Sequence, residues 1–196
     1  MKASGANPSI DIINENLSAP LILVGMMGAG KNKKKKKLAS TLKLPFCDSD
    51  AEIEKAAGCS VSDIFEFYGE KAFRDVEKRV LFRLIEQGQG VIATGGGAMM
   101  TAEIREKMLA EGIVIWLDAP AEVIYDRISN HTHRPLLQTE NPKQRLVELL
   151  EQRKEVYNLA HIRVPSERVR INQTLDGLFC RLENYLISPS NQSKPR

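Results

Sequence analysis

The apolar run Leu21-Ile22-Leu23-Val24 leads straight into Gly25-Met26-Met27-Gly28-Ala29-Gly30-Lys31. Four apolar residues that end on a Gly-x-x-x-x-Gly-Lys spacing read as a buried strand turning through a phosphate-binding loop into a helix. The glycines let successive backbone N–H groups face phosphate oxygens. The helix start adds partial positive charge, and the Lys31 ammonium can reach the outer phosphates. Such a loop works only where a strand delivers it to the edge of a sheet, so it constrains fold and ligand class together.

The rest of the chain alternates in the way such a sheet requires. Pro45-Phe46-Cys47 reads as a second strand ending at Asp48-Ser49-Asp50, Val91-Ile92-Ala93 as a third ending at Gly95-Gly96-Gly97, and Ile113–Leu117 as a fourth. A further strand is expected near Ile162–Val164. Helical spacing covers the stretch through Leu38, Thr41 and Leu42, then Ser62–Tyr68, Lys71–Gln87, Thr101–Glu111, Ala121–Ser129, Pro142–Leu159 and Leu175–Leu186. Strands this apolar, separated by helices, predict an α/β three-layer fold: a central, mostly parallel five-stranded sheet with helices on both faces. The polar stretch at about 129–142 is long enough to be a lid. One domain is expected over 19–187. Residues 1–18 and 188–196, rich in Ser, Asn and Pro, are expected as loose tails.

Composition excludes several classes. The net charge of +3 is local: without the five lysines of Lys33–Lys37 it would be −2, so no nucleic-acid surface is expected. Cys47, Cys59 and Cys180 lack a Cys-x-x-Cys spacing and read as reduced thiols rather than zinc ligands. No apolar run approaches the ~20 residues of a membrane span. No signal-peptide pattern opens the chain, so a cytoplasmic location is expected.

Several motifs share the predicted sheet edge. Asp48 and Asp50 stand at the carboxyl end of the second strand, where open α/β sheets bind ligands. Paired carboxylates there can hold Mg²⁺ through water and orient a hydroxyl for attack. Ser49 and Glu52 also fit a capping box for a helix starting at Ala51. Three glycines in succession, Gly95, Gly96 and Gly97, cost backbone entropy and let a ligand approach the main chain. Arg74 on its helix reads first as a solvated, i,i+4-paired charge. Arg127, Arg134 and Arg153 are well separated, and an arginine in a lid can neutralise a transferring phosphoryl group. His131 and His133 have no third ligand near them and are not read as a metal site.

Taken together, Gly25–Lys31, Asp48-Ser49-Asp50, Phe73-Arg74, Gly95–Ala98 and Arg134-Pro135-Leu136-Leu137 resemble the shikimate kinase family, within the nucleoside-monophosphate-kinase-like P-loop proteins, from about Leu21 to Leu186. The resemblance implies transfer of a phosphoryl group from ATP, with Mg²⁺, to the 3-hydroxyl of shikimate. It places Gly28, Ala29, Gly30, Lys31, Asn32 and Lys33 around ATP, with Arg127 against adenine and Arg134 on the phosphates. Asp48 and Asn32 would help hold Mg²⁺. Asp50 would bind the shikimate hydroxyls and is the candidate base. Arg74 and Arg153 would grip the substrate carboxylate, a planar anion suited to guanidinium forks, and Gly95, Gly96 and Gly97 would border the shikimate ring, Gly96 through its backbone. Lys31, Asp50 and Arg134 are the implied catalytic set. No partner beyond the small molecules is implied, and nothing demands more than a monomer.

The chain departs from the family pattern at one place. Asn32 stands where a hydroxyl residue is expected, and Lys33–Lys37 follow it. Lys34 and Lys35 precede Leu38 by four and three residues and should share its inward face. A buried ammonium is costly unless paired. Lys33 and Lys37 repel at i,i+4, and cations at a helix start oppose its dipole. The expectation is weakened Mg²⁺ handling and a destabilised first helix of the sheet. Three readings of the run stay open: an artefact standing in for the usual residues, an engineered or decayed site, and an unusual phosphate clamp. The functional alternatives are a related small-metabolite kinase, such as a gluconate kinase, and a nucleotide-binding pseudokinase.

Overall fold

The computed structural model describes residues 8–129, 141–167 and 171–189. The elements are α1 (Pro8–Asn16), β1 (Leu21–Val24), α2 (Lys31–Leu42), β2 (Phe46–Asp48), α3 (Ser49–Ala57), α4 (Val61–Glu86), β3 (Val91–Ala93), a 3₁₀ turn (Ala98–Met100), α5 (Ala102–Glu111), β4 (Ile113–Asp118), α6 (Ala121–Ile128), α7 (Pro142–Tyr157), β5 (Ile162–Pro165) and α8 (Ile171–Ile187). The five strands pair in the order β2-β3-β1-β4-β5, every pair parallel. Leu21 of β1 is registered with Val91 on one side and Ile113 on the other.

This order carries the function. β1 is central, and the chain leaves it outward to β2, returns to β3, then crosses to β4. The turns after β1, β2 and β3 therefore share one sheet edge, at the place where strand order reverses and a crevice opens. β1 and β3 are buried along their whole length and have no polar face, because helices cover both sides of the sheet. Leu38 and Leu42 of α2, Ile53 of α3, Leu81 and Ile85 of α4, Ile104 and Met108 of α5, and Leu178 and Leu182 of α8 all join one core.

Local signals explain most element ends. Ser60 and Asp63 form a capping box for α4, the hydroxyl accepting from the Asp63 N–H and the carboxylate from the Ser60 N–H. Gly69, at φ 79°, breaks α4 where the sequence shows two helices. Lysine is a good helix former, and Leu38, Ala39 and Leu42 anchor α2 against the core, so the helix forms through the lysine run.

Two expectations are corrected. Residues 8–16 are not a loose tail: they form α1, which packs on α8 and buries Ile13 completely. Ile10, Ile13 and Leu17 recur at helical spacing, and burying an isoleucine contributes about 1.5–3 kcal/mol, which outweighs the polar composition around it. The helix after β2 does not start at Ala51 with Ser49 in a capping box. It starts at Ser49, with Asp48 as N-cap accepting from the Asp50 N–H at 3.1 Å. A carboxylate is as good a cap as a hydroxyl, and using it leaves Ser49 for another partner.

Candidate active site

The first glycine loop has no room for a side chain at Gly25 or Gly28. Gly25 has φ 137°, and a Cβ there would lie 2.7 Å from the Leu117 carbonyl oxygen. Gly28 has φ 77°, and its Cβ would lie 2.7 Å from Ile128 Cγ2. The loop is thus pressed onto β4 and α6, and it delivers Gly30 as the N-cap of α2. Lys31 Nζ donates back to the Gly25 carbonyl and, at 3.1 Å, to that of Met26, so its ammonium spans the loop that would receive a phosphate. Arg127 also reaches the loop. Its guanidinium donates to the Gly28 carbonyl at 3.1 Å and to the Glu167 carbonyl at 3.0 Å. Ala29 is buried, and its carbonyl accepts from the Ser166 hydroxyl at 2.8 Å.

The second and third turns close on the first. The buried Ser49 hydroxyl accepts from the Gly95 N–H at 3.2 Å, tying the aspartate turn to the triple-glycine bend. A Cβ on Gly95 would lie 3.0 Å from Asp50 Oδ1, and one on Gly96 would lie 3.3 Å from the Met27 nitrogen. A Cβ on Gly97 would lie 2.8 Å from Arg74 Nη2. At Gly96 the crowding comes from the main chain of the first loop, and at Gly95 and Gly97 from the ends of the Asp50 and Arg74 side chains, so two functional side chains lie against the bend. The Gly96 carbonyl accepts from Arg153 at 3.0 Å and from the Tyr157 hydroxyl at 2.6 Å. Lys31, Asp50, Arg74, the Gly95–Gly97 bend and Arg153 thus border one crevice.

The charges in this crevice shape each other. Asp50 opens onto the cleft, yet the crowded walls first, and the Asp48 charge second, push its carboxyl above the ordinary range, against the pull of Lys31 and Lys35. Arg74 bonds Glu77 at 2.7 Å and Glu70 at 3.1 Å. Burial alone would lower its pKa, but these carboxylates outweigh it and hold the guanidinium charged. Glu77 is fully buried. Burial raises its carboxyl against the counter-pull of Arg74, and its Oε1 has no partner among the described residues. Tyr157 is buried and stacked on Trp116 at 5.6 Å between ring centroids, and burial pushes its hydroxyl up to about 12, so it stays a donor.

Glu77 and Tyr157 were not found from sequence. The available signals were the i,i+3 spacing of Glu77 from Arg74 and the i,i+4 spacing of Tyr157 from Arg153, both of which place the pairs on one helix face.

Lys34 and Lys35 are buried, at 4% and 5% exposure, as their spacing to Leu38 predicts. Their partners differ. The Lys34 ammonium donates to the Ser166 hydroxyl, a neutral group, and desolvation, then repulsion from Arg127, lower its pKa to about 8. The Lys35 ammonium is ion-paired with Asp48 Oδ2 and lies 4.9 Å from the centre of the Phe46 ring. Asp48 Oδ1 accepts from the Asp50 N–H, so both carboxylate oxygens are engaged. Among the described residues no group of three or more His, Cys, Asp or Glu side chains is placed to hold a metal. The Asp48 carboxylate, expected to help hold Mg²⁺, is engaged by an ammonium in this structure. The side chains of Asn32 and Lys33, and Arg134 with most of the predicted lid, lie outside the described residues.

Comparison with known proteins identifies the family. The family model described as shikimate kinase matches residues 27–179. A shikimate kinase of Bradyrhizobium diazoefficiens is 44% identical over 190 residues, covering 97% of this chain and 92% of that protein. One from Bartonella quintana is 41% identical over 171 residues, covering 87% and 81%. The structure of the Acinetobacter baumannii shikimate kinase in complex with shikimate superposes with a TM-score of 0.79 at 37% identity, covering 91% of this chain and 97% of that one. A gluconokinase from Sinorhizobium meliloti shares the fold alone, with a TM-score of 0.56 at 16% identity.

Proposed function

This chain belongs to the shikimate kinase family, and from that premise we propose that it transfers the γ-phosphoryl group of ATP to the 3-hydroxyl of shikimate, a step of aromatic amino acid biosynthesis. The observation that carries the reading is the convergence of Asp50, Arg74, Arg153 and the Gly95–Gly97 bend on the loop that ends at Lys31.

Each residue then has a task its surroundings favour. The glycine loop and the N-terminus of α2 cradle the ATP phosphates, and Lys31 leaves its own loop carbonyls for the β- and γ-phosphates. Arg74 and Arg153 offer guanidinium forks to the shikimate carboxylate. Asp50 accepts the 3-hydroxyl proton as that oxygen bonds the γ-phosphorus and the bond to the ADP oxygen breaks. A carboxyl raised above its usual range holds such a proton better than an ordinary aspartate would. Arg134 is assigned to the transferring phosphoryl group, and Arg127 to the nucleotide side of the loop. Mg²⁺ enters with ATP as part of the substrate. The reading takes the protein as a monomer working in the cytoplasm, where its nucleotide is.

The lysine run favours a second reading, a nucleotide-binding protein with little turnover. Its support is that Lys31 and Lys35 are bonded to the chain's own loop and to Asp48. A coupled ADP-release assay separates the two. Turnover with shikimate and none with gluconate is expected from the kinase reading. ADP or ATP binding with no turnover on either acid supports the second, and turnover on gluconate overturns the shikimate assignment.

A further inference from the structure

Lys35 sits at a place where an ammonium has consequences. Its side chain is 6% exposed and lies on the inward face of α2, one turn ahead of Leu38. Its Nζ ends on Asp48 Oδ2, while Asp48 Oδ1 is fixed by the Asp50 N–H. The Phe46 ring packs beside the ammonium. The carboxylate at the end of β2 is therefore already neutralised by a charge built into the chain.

A divalent ion arriving at Asp48 meets that charge first. It must share a carboxylate with a cation in van der Waals range, or drive the ammonium out of a buried position. The repulsion is strong at such distances in a partly desolvated cleft. Displacement would leave a buried ammonium without its counter-charge, the costliest way to break an ion pair. The tether also works in favour of the ammonium. Asp48 and Lys35 are joined through the fold, so the pair forms at an effective concentration that a dilute free ion does not match. Around the same loop Lys31, Lys34 and Arg127 add further positive charge. A polyphosphate entering this crevice meets protein cations on every side.

We propose that Lys35 is a built-in counter-ion for Asp48 that excludes a divalent cation from that carboxylate, so that this chain binds adenine nucleotide with no gain in affinity from Mg²⁺. The inference rests on reading the glycine loop as a nucleotide site, but not on shikimate turnover.

The test is nucleotide and metal binding on the full chain. ADP is titrated by calorimetry with and without Mg²⁺, and Mn²⁺ binding to the protein in the presence of ADP is followed by the loss of its free-ion paramagnetic resonance signal beyond the loss that the same ADP causes without protein. The chain as it stands should bind ADP with an affinity that Mg²⁺ changes by less than about twofold. Lys35→Met should gain at least ~10-fold from Mg²⁺, a difference of ~1.4 kcal/mol. It should also bind Mn²⁺ where the parent does not. Adding Asp48→Asn to Lys35→Met should abolish the gain, while Asp48→Asn in the parent leaves the Mg²⁺ dependence unchanged, a non-additivity that isolates the pair. Lys35→Gln, which keeps length and polarity, gives the same readout if the methionine variant does not fold. Equal Mn²⁺ binding by the parent and the Lys35 variants overturns the proposal, as does a ~10-fold Mg²⁺ gain in the parent. Failure of every variant to bind ADP removes the nucleotide reading beneath it and takes the proposal with it.

Discussion

On one rim of the crevice Arg74 meets carboxylates at 2.7 Å and 3.1 Å, and Arg153 is held by the Gly96 carbonyl at 3.0 Å. On the other rim Lys34 meets only a hydroxyl, and Lys35 takes the aspartate next to the candidate base. The first rim has its cations positioned by groups that serve no other ligand, so they can turn to a substrate anion without losing their support. The second rim has cations in excess, and one of them consumes a carboxylate that belongs to the site. Charge in a cleft organises binding only where its partners are spare. The variants below either separate the rims further or erase the distinction.

The largest effect is expected at the group both rims share. Asp50→Asn keeps the shape of the aspartate turn but cannot take a proton. It should lower kcat by ~10²–10⁴-fold, the usual share of a positioned general base. The measurement is best made with Lys35→Met present, so that the nucleotide rim is relieved of its extra charge. A fall of less than ~10-fold would remove Asp50 from the chemistry and leave it as a binding residue.

Arg74→Ala comes next, because it acts on binding and on folding together. Glu77 is fully buried and would lose its ion pair, and stranding a buried charge costs about 3 kcal/mol or more. The shikimate KM should rise by at least ~10-fold, as expected for the loss of charge-assisted bonds. Arg74→Lys should restore most of the thermal stability and little of the KM, since lysine supplies the charge without the fork. If lysine restores both, the substrate-side rim is no more specific than the other.

The two rims were not equally legible in the sequence. The first glycine turn was, because positive φ at Gly25 and Gly28 and the β4 main chain and α6 side chains pressed on them admit only glycine, and that requirement is written at fixed positions. The burial of Lys34 and Lys35 was legible too, since helical spacing to Leu38 dictates it. Their partners were not. Asp48 lies thirteen positions from Lys35 and Ser166 lies 132 from Lys34, separations at which only the folded sheet decides what meets what. The same holds for Tyr157 and Gly96, 61 positions apart. The start of the helix after β2 was misread for a subtler reason: aspartate and serine cap helices equally well, so Ser49 and Glu52 offered a false capping box beside the true cap, Asp48. α1 was missed because its polar composition masked the apolar spacing of Ile10, Ile13 and Leu17.

Lys34 gives the comparison a pH axis. Burial, with Arg127 near it, lowers its pKa to about 8 from an ordinary 10.5. The folded state therefore binds fewer protons than the unfolded one between those values, and stability should rise as pH climbs through that window. Below it, the folded chain carries the full cost of a buried ammonium, ~3 kcal/mol by the size of the shift. Lys34→Ile should raise the melting temperature by several degrees at pH 7. It should raise it much less near pH 10, where the parent's amine is already neutral in the fold. An equal gain at both pH values would show that the isoleucine acts through packing and not through charge, and the nucleotide rim would lose its claim to be strained by unanswered cations.

The smallest effect tests how finely the substrate rim is built. The Gly96 carbonyl accepts from both Arg153 and Tyr157, so removing the tyrosine hydroxyl leaves it with one donor. The ring itself stays, stacked on Trp116, so Tyr157→Phe deletes a hydrogen bond and no packing. A net loss of about 1 kcal/mol in stability is expected, the usual worth of one such bond. If the hydroxyl serves only the fold, shikimate KM is unchanged. If it also sets where the triple-glycine bend and Arg153 stand, KM rises by a few fold with kcat unaltered, because the carboxylate grip is lost equally from bound substrate and transition state. The second result is the one the geometry favours, since Tyr157 and Arg153 sit one turn apart on α7 and converge on a single oxygen. An unchanged KM would confine the tyrosine to the core and leave Arg74 and Arg153 to position themselves.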